Sequence, residues 1–102
     1  MNLQDLQADG IYTFVVIGGI EMIAKVVTVN NDNIIVADPV SVMPSQGGVG
    51  LMPSLFTGKM HSNYRLNNNS ISIIGETDES VKAKYIEATT GLKVPDKKVI
   101  LG

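Results

Sequence analysis

The chain contains no cysteine and no tryptophan, and only one histidine and one arginine. Without cysteine there is no disulfide scaffold, no thiolate zinc site and no cysteine nucleophile. A single histidine, His61, excludes a histidine-rich metal site. Charge is also scarce, at 18% of 102 residues, against a typical ~25%. The formal net charge is −2. A general basic wrap around duplex DNA is therefore disfavoured, and any nucleic-acid contact has to come from a local site. No apolar run approaches the ~20 residues of a membrane span. The first ten residues carry acids and no lysine or arginine, unlike a secretory signal. A soluble protein without a membrane partner is the expectation. What is present is a hydrophobic fraction of 44%. That suits one domain over 1–102, because two separate cores in so short a chain would each be too small.

Period and turn chemistry divide the chain. Residues 2–8 allow a turn or two of helix, with Leu3 and Leu6 on one side and Gly10 as its stop. Residues 11–17 are nearly all β-branched or aromatic and predict a strand. Gly18-Gly19 supplies a two-residue turn into a return strand over 20–29. Asn30-Asn31-Asp32 turns the chain into a third strand over 33–43, where Pro39 cannot donate to a ladder and forces a bend or bulge. Residues 44–58 hold four glycines and two prolines beside Val49, Leu51, Met52, Leu55 and Phe56. This reads as a long connection lying on the protein or on a neighbouring subunit. Residues 59–66 alternate, with Met60, Ser62, Tyr64 and Leu66 on one face and Lys59, His61, Asn63 and Arg65 on the other. Asn67-Asn68-Asn69 turns into a fifth strand over 70–75. The period then changes. Residues 78–90 predict a helix with Asp78 as N-cap and Gly91 as C′ residue, its stripe being Val81, Tyr85, Ala88 and Leu92, with Lys82, Lys84 and Glu87 in solvent. The tail, 92–102, ends in an apolar segment able to pair as an edge strand. The sum is a mainly β fold: a small bent five-stranded antiparallel barrel over about 11–75, with a short N-terminal helix and an added C-terminal helix.

No catalytic motif stands out. The stretch 50–60 has the wrong spacing for a phosphate-binding loop, and Met60 stands where Ser or Thr must reach a metal. Gly47-Gly48-Val49-Gly50 opens no helix. His61 has no second histidine or serine constellation beside it in sequence, and helix capping explains Asp78 and Glu79. The expectation is no enzyme, no metal and no cofactor. Two Asn-rich turns remain: Asn31, Asp32 and Asn33 in one, and Asn67, Asn68 and Asn69 in the other, just after Arg65. Asparagine presents a donor and an acceptor together and can read a base edge, while a guanidinium stacks on a base or clamps a phosphate. Asparagine is also simply a good turn former.

The order of elements resembles the Sm-like family, which includes the bacterial Hfq proteins. Val15, Val16, Gly19 and Ala24 stand where the first family motif has apolar alternation and small residues, and Asn33-Ile34-Ile35-Val36-Ala37-Asp38-Pro39 is similar to its Asn-Leu-x-Leu-x-Asp-Ala segment. Tyr64-Arg65-Leu66-Asn67-Asn68, with Ile71 and Ile73, resembles the second motif, although Leu66 replaces the glycine after its arginine. The resemblance covers about 2–75 and marks the chain as a divergent, phage-type or environmental member. It implies a homo-oligomeric ring, here of five to seven subunits, in which the edge of the fourth strand pairs with the fifth strand of the neighbour. It also implies single-stranded RNA or DNA as partner, in the cytoplasm of a bacterial or phage-infected cell. The nucleic-acid-binding residues it points to are Asn33 and Arg65, with Asn31, Asn67 and Asn68 beside them. The competing expectation is a small-barrel structural or assembly subunit without nucleic-acid binding, favoured by low charge and the apolar 44–58 segment.

Overall fold

The computed structural model describes residues 1–59 and 61–91. The expectations for Met60, Leu92 and the 92–102 tail fall outside the described residues. The fold is mainly β, a six-stranded antiparallel sheet with one helix. The strands are β1 (Ile11–Val16), β2 (Ile20–Val29), β3 (Asn33–Ser45), β4 (Gly48–Pro53), β5 (Asn63–Asn67) and β6 (Ile71–Glu76), followed by helix α1 (Glu79–Thr90). The strand order is β4-β3-β2-β1-β6, and β5 also pairs with β3. Hairpin turns join β1 to β2 to β3, as their Gly and Asn residues predict. In the first of these, Gly18 and Gly19 have φ of 98° and 83°, a region that side chains with a Cβ avoid.

The expected five strands become six. The 44–58 segment is not one long connection: β3 runs on to Ser45, turns at Gln46-Gly47 and returns as β4, pairing Val42 with Leu51 and Val40 with Pro53. Glycines at 48 and 50 mask this strand in the sequence, but the ladder with β3 outweighs their poor strand propensity. The following strand is shorter than the alternation suggests, because His61 takes φ 59° in a turn and pairing starts at Asn63. At the N-terminus the expected helix is a single 3₁₀ turn, Leu3–Asp5. Three residues are too few to hold a helix without packing, and here Leu3 and Leu6 sit on the core. Tyr12 secures that segment, its hydroxyl accepting from the Gln7 N–H at 2.9 Å. Its ring covers Gly10 so closely that a Cβ there would lie 2.6 Å away.

β3 bulges where Pro39 predicts. Ile23 faces Val40 while Lys25 faces Ala37, so β3 carries one more residue than β2 over that step, and Asp38 takes φ 50°. An extra residue moves every later side chain to the opposite face. Before the bulge, Ile34 and Val36 enter the main core with Phe14, Ala24 and Val26. After it, Val40 joins Ile23 and Tyr85 in a second cluster, with Ile11, Val42, Leu51 and Val81 packed around it. Each fully buried Ile, Val or Phe contributes about 1.5–3 kcal/mol by leaving water. One sheet thus serves two cores, the second roofed by α1.

Helix α1 begins and ends as its sequence dictates. The Asp78 carboxylate accepts from the Ser80 and Val81 N–H groups at 3.1 and 3.4 Å, and Gly91 closes the helix at φ 75°. Tyr85 is buried to 2% exposure and Val81 is half-buried beside it, but Ala88, expected on the same stripe, is exposed, because the helix packs through its first turns and its last turn stands at the rim of a cleft. Lys84 is exposed, whereas Lys82 and Glu87 are half-buried rather than fully in solvent. The Tyr85 hydroxyl reaches the bulge, where it is shared between the Asp38 carbonyl at 2.9 Å and the Ala37 carbonyl at 3.2 Å. Burial pushes its pKa well above the ordinary tyrosine value, with the Asp38 charge adding to the effect, so it stays a donor.

Two outcomes follow from this packing. Tyr85→Phe should cost about 1–3 kcal/mol by stranding the bulge carbonyls, and Tyr85→Ala about 3–5 kcal/mol through the added cavity. Thermal melts of both variants check this, and equal midpoints for wild type and Tyr85→Phe would contradict it. The second outcome concerns acid. The Ser80 side chain and the Val81 and Ser80 N–H groups hold the Asp78 carboxyl below its ordinary value. Its stabilisation is complete above the unfolded-state pKa and is lost as pH falls through the lower folded value. Asp78→Asn, which still caps, should leave the neutral-pH midpoint nearly unchanged and flatten the acid limb of a midpoint-against-pH series.

Candidate nucleic-acid interface

The two Asn-rich turns, separate in sequence, meet in space. The first β3–β5 partners are Asn33 and Asn67. From there the second turn is sewn to the first. The Asn68 N–H donates to the Asp32 carbonyl at 3.0 Å, and Asn68 Nδ2 donates to the Asn31 carbonyl at 2.9 Å. Asn30 closes its own turn, donating from Nδ2 to Asn33 Oδ1 at 2.8 Å and from its N–H to the Asn33 carbonyl at 2.8 Å. The 3₁₀ turn Asn68–Ser70 is held by the Ser70 hydroxyl on the Asn67 carbonyl at 2.7 Å.

The expected site residues therefore take different parts. Asn68 is half-buried and ties the turns together; its Oδ1 is buried without a hydrogen-bond partner. Asn31 and Asn67 have exposed side chains. Asn33 is half-buried, with its oxygen engaged by Asn30 and its amide nitrogen left to donate. Arg65 is exposed, opposite Ile35, two residues before Asn67 on β5. Alternation along β3 and β5 puts Asn33, Ile35, Arg65 and Asn67 on one face, away from Ile34 and Leu66, which point to the core. Lys25 pairs with Ala37, so it lies on this same outer face across β3. No local pattern singles out Lys25, since only the register of three strands relates it to Arg65.

A second feature has no counterpart in local sequence. A cleft of about 440 Å³ opens beside the β3 bulge, between β4, residues 55–59, His61 and the last turns of α1. Asp38 and His61, both at positive φ, face each other in it, with His61 Nδ1 3.7 Å from Asp38 Oδ1. That distance supports charge attraction when the imidazole is protonated, but it is too long for a hydrogen bond. Leu51, Met52 and Phe56 supply apolar walls, and Lys59 and Tyr64 complete the polar end. Its loop is anchored. The Ser54 N–H donates to the Pro39 carbonyl at 3.0 Å, the Ser41 and Ser54 hydroxyls bond at 3.1 Å, and the Tyr64 hydroxyl donates to the Lys59 carbonyl at 2.5 Å. Among the described residues, no group of three or more His, Asp or Glu side chains is placed to hold a metal ion. Nor is any described helix long and apolar enough to cross a membrane. No protein-family model matches the chain, and no curated protein matches it in sequence.

Proposed function

We propose that the protein binds single-stranded nucleic acid, RNA foremost, through the face that carries Asn33, Arg65 and Asn67. The observation that carries this reading is the joining of the two Asn turns, which sets an exposed guanidinium and free amide groups on one side of the sheet. A base stacks on Arg65 or a phosphate pairs with it, and the Asn33 and Asn67 amides bond to a base edge. Lys25 adds a second cation on the same face. Asn68 acts by positioning, since its amide already holds the first turn.

In this reading the sheet curls into an Sm-like barrel and the chain assembles into a homo-oligomeric ring of five to seven copies in the cytoplasm. Two features support it. Among the described residues β5 pairs only with β3, and β6 only with β1, so both ends of the described sheet present strand edges without a partner strand, which folded proteins seldom leave open. Exposed Ile17, Ile20 and Ile73 lie at the β1–β2 turn and on β6, where a neighbour would cover them. Ring symmetry repeats one arginine around a shared axis and converts a weak contact into a multivalent one, which suits a chain of net charge −2. The reading assigns no catalysis to the chain.

Binding of oligo-U and oligo-A by wild type and Arg65→Ala, at two salt concentrations, tests the proposal. Arg65→Ala should weaken binding by about tenfold or more, while native mass shows the same assembly. Few phosphates are neutralised per subunit, so affinity should fall with salt on a shallow slope. If wild type binds neither homopolymer at tens of micromolar, or Arg65→Ala binds as well as wild type, a structural or assembly subunit becomes the better reading.

A further inference from the structure

We propose that the cleft beside the β3 bulge is a nucleotide site, separate from the Arg65 face, which stacks a nucleobase on Phe56 and holds its phosphate at Lys59. Phe56 is 77% exposed, the most exposed of the large apolar side chains described. Such exposure costs free energy unless something covers the ring. It does not come from a loose loop, because Ser54 and Lys59 on either side are bonded to β3 and β5. Gly58 is part of that anchorage. A Cβ there would lie 2.6 Å from the Tyr64 hydroxyl and 3.1 Å from Leu55 Cβ, so only glycine lets Tyr64 reach the Lys59 carbonyl undisturbed. An aromatic ring held out on a fixed loop is ready to stack, with little ordering left to do on binding.

The cleft's mixed chemistry selects the ligand. A wholly apolar occupant would strip water from Asp38 and His61 and return no hydrogen bond. A bare phosphate would leave Phe56 and the Leu51 and Met52 walls wet. A nucleotide answers both ends. Its base offers a flat π face to Phe56, and its amino edge offers N–H donors to the Asp38 carboxylate. Its phosphate meets the Lys59 ammonium, with the His61 ring lining the same cleft. The volume of about 440 Å³ lies within the ~300–1,000 Å³ common for small-ligand sites. The nucleotide can be free or one residue of a strand; the recognising chemistry is the same.

Titrating the full chain with AMP, and separately with oligo-A, while following the Phe56 ring and His61 imidazole by NMR, tests the site. Shifts at both residues with AMP support the proposal and identify a free nucleotide. Shifts with oligo-A alone support it and identify a strand. Phe56→Ala, which removes an exposed ring and should fold normally, should weaken the shifting ligand about tenfold. Lys59→Ala should weaken it and reduce the salt dependence. The proposal is overturned if neither ligand shifts Phe56, or if Phe56→Ala binds as wild type does. Loss of oligo-A binding in Arg65→Ala with full binding in Phe56→Ala would remove this site and leave the Arg65 face standing. AMP shifts at Phe56 without any oligonucleotide binding would do the reverse.

Discussion

The Tyr85 hydroxyl on the Ala37 and Asp38 carbonyls is the point at which the parts of this fold are joined. A bulge frees backbone groups from the ladder, and buried free carbonyls need a donor. Tyr85 supplies it from the helix, at 2.9 and 3.2 Å. Without the bulge, β3 would keep one face to one core along its length. With it, the first half of β3 feeds the core shared with β1 and β2, and the second half feeds the cluster under α1. The outer edge of β3 is divided in the same way, β5 pairing from 33 to 37 and β4 from 40 to 45. The cleft lies at that division, with the bulge residue Asp38 lining it.

Local rules made much of this legible. Asp78 and Gly91 mark the helix ends because capping is a matter of a few adjacent residues. Pro39 marks the bulge because a missing donor shows in the sequence. The Asn turns and the alternation of Tyr64 and Leu66 against Asn63 and Arg65 were equally plain. What escaped was non-local. β4 is Gly-rich and is a strand only because β3 extends past Pro39 to meet it. The joining of Asn68 to Asn31 spans 37 positions, and nothing near either residue announces it. By local sequence His61 reads as an isolated strand histidine. Its partner Asp38 is turned toward it by a positive φ that no pattern of side chains encodes. The resemblance to Sm-like proteins points to Asn33 and Arg65 by motif position, whereas the part of Asn68, half-buried and bonded to the Asn31 carbonyl, follows only from the hydrogen bonds.

The polar groups divide into those that hold the chain and those left for others. Asn30, Asn68 and Ser70 spend their hydrogen bonds inside the turns. Ser41, Ser54 and Tyr64 do the same for the loop below the cleft. Arg65, Asn67 and Lys59 remain exposed around these scaffolds. In a chain with so little charge, these exposed polar groups stand on or beside backbone that is already fixed by hydrogen bonds.

The divided edge of β3 has a bearing on solubility. A long, flat, unpaired strand is a template on which other chains add in register and grow fibrils. Among the described residues the outermost strands on that side are β4, of six residues, and β5, of five, separated along the chain. An incoming strand meets two short, discontinuous rows of hydrogen-bonding groups rather than one continuous row. Joining them, by deleting the loop and straightening the bulge, would give a smoother sheet and a chain more prone to stack without limit.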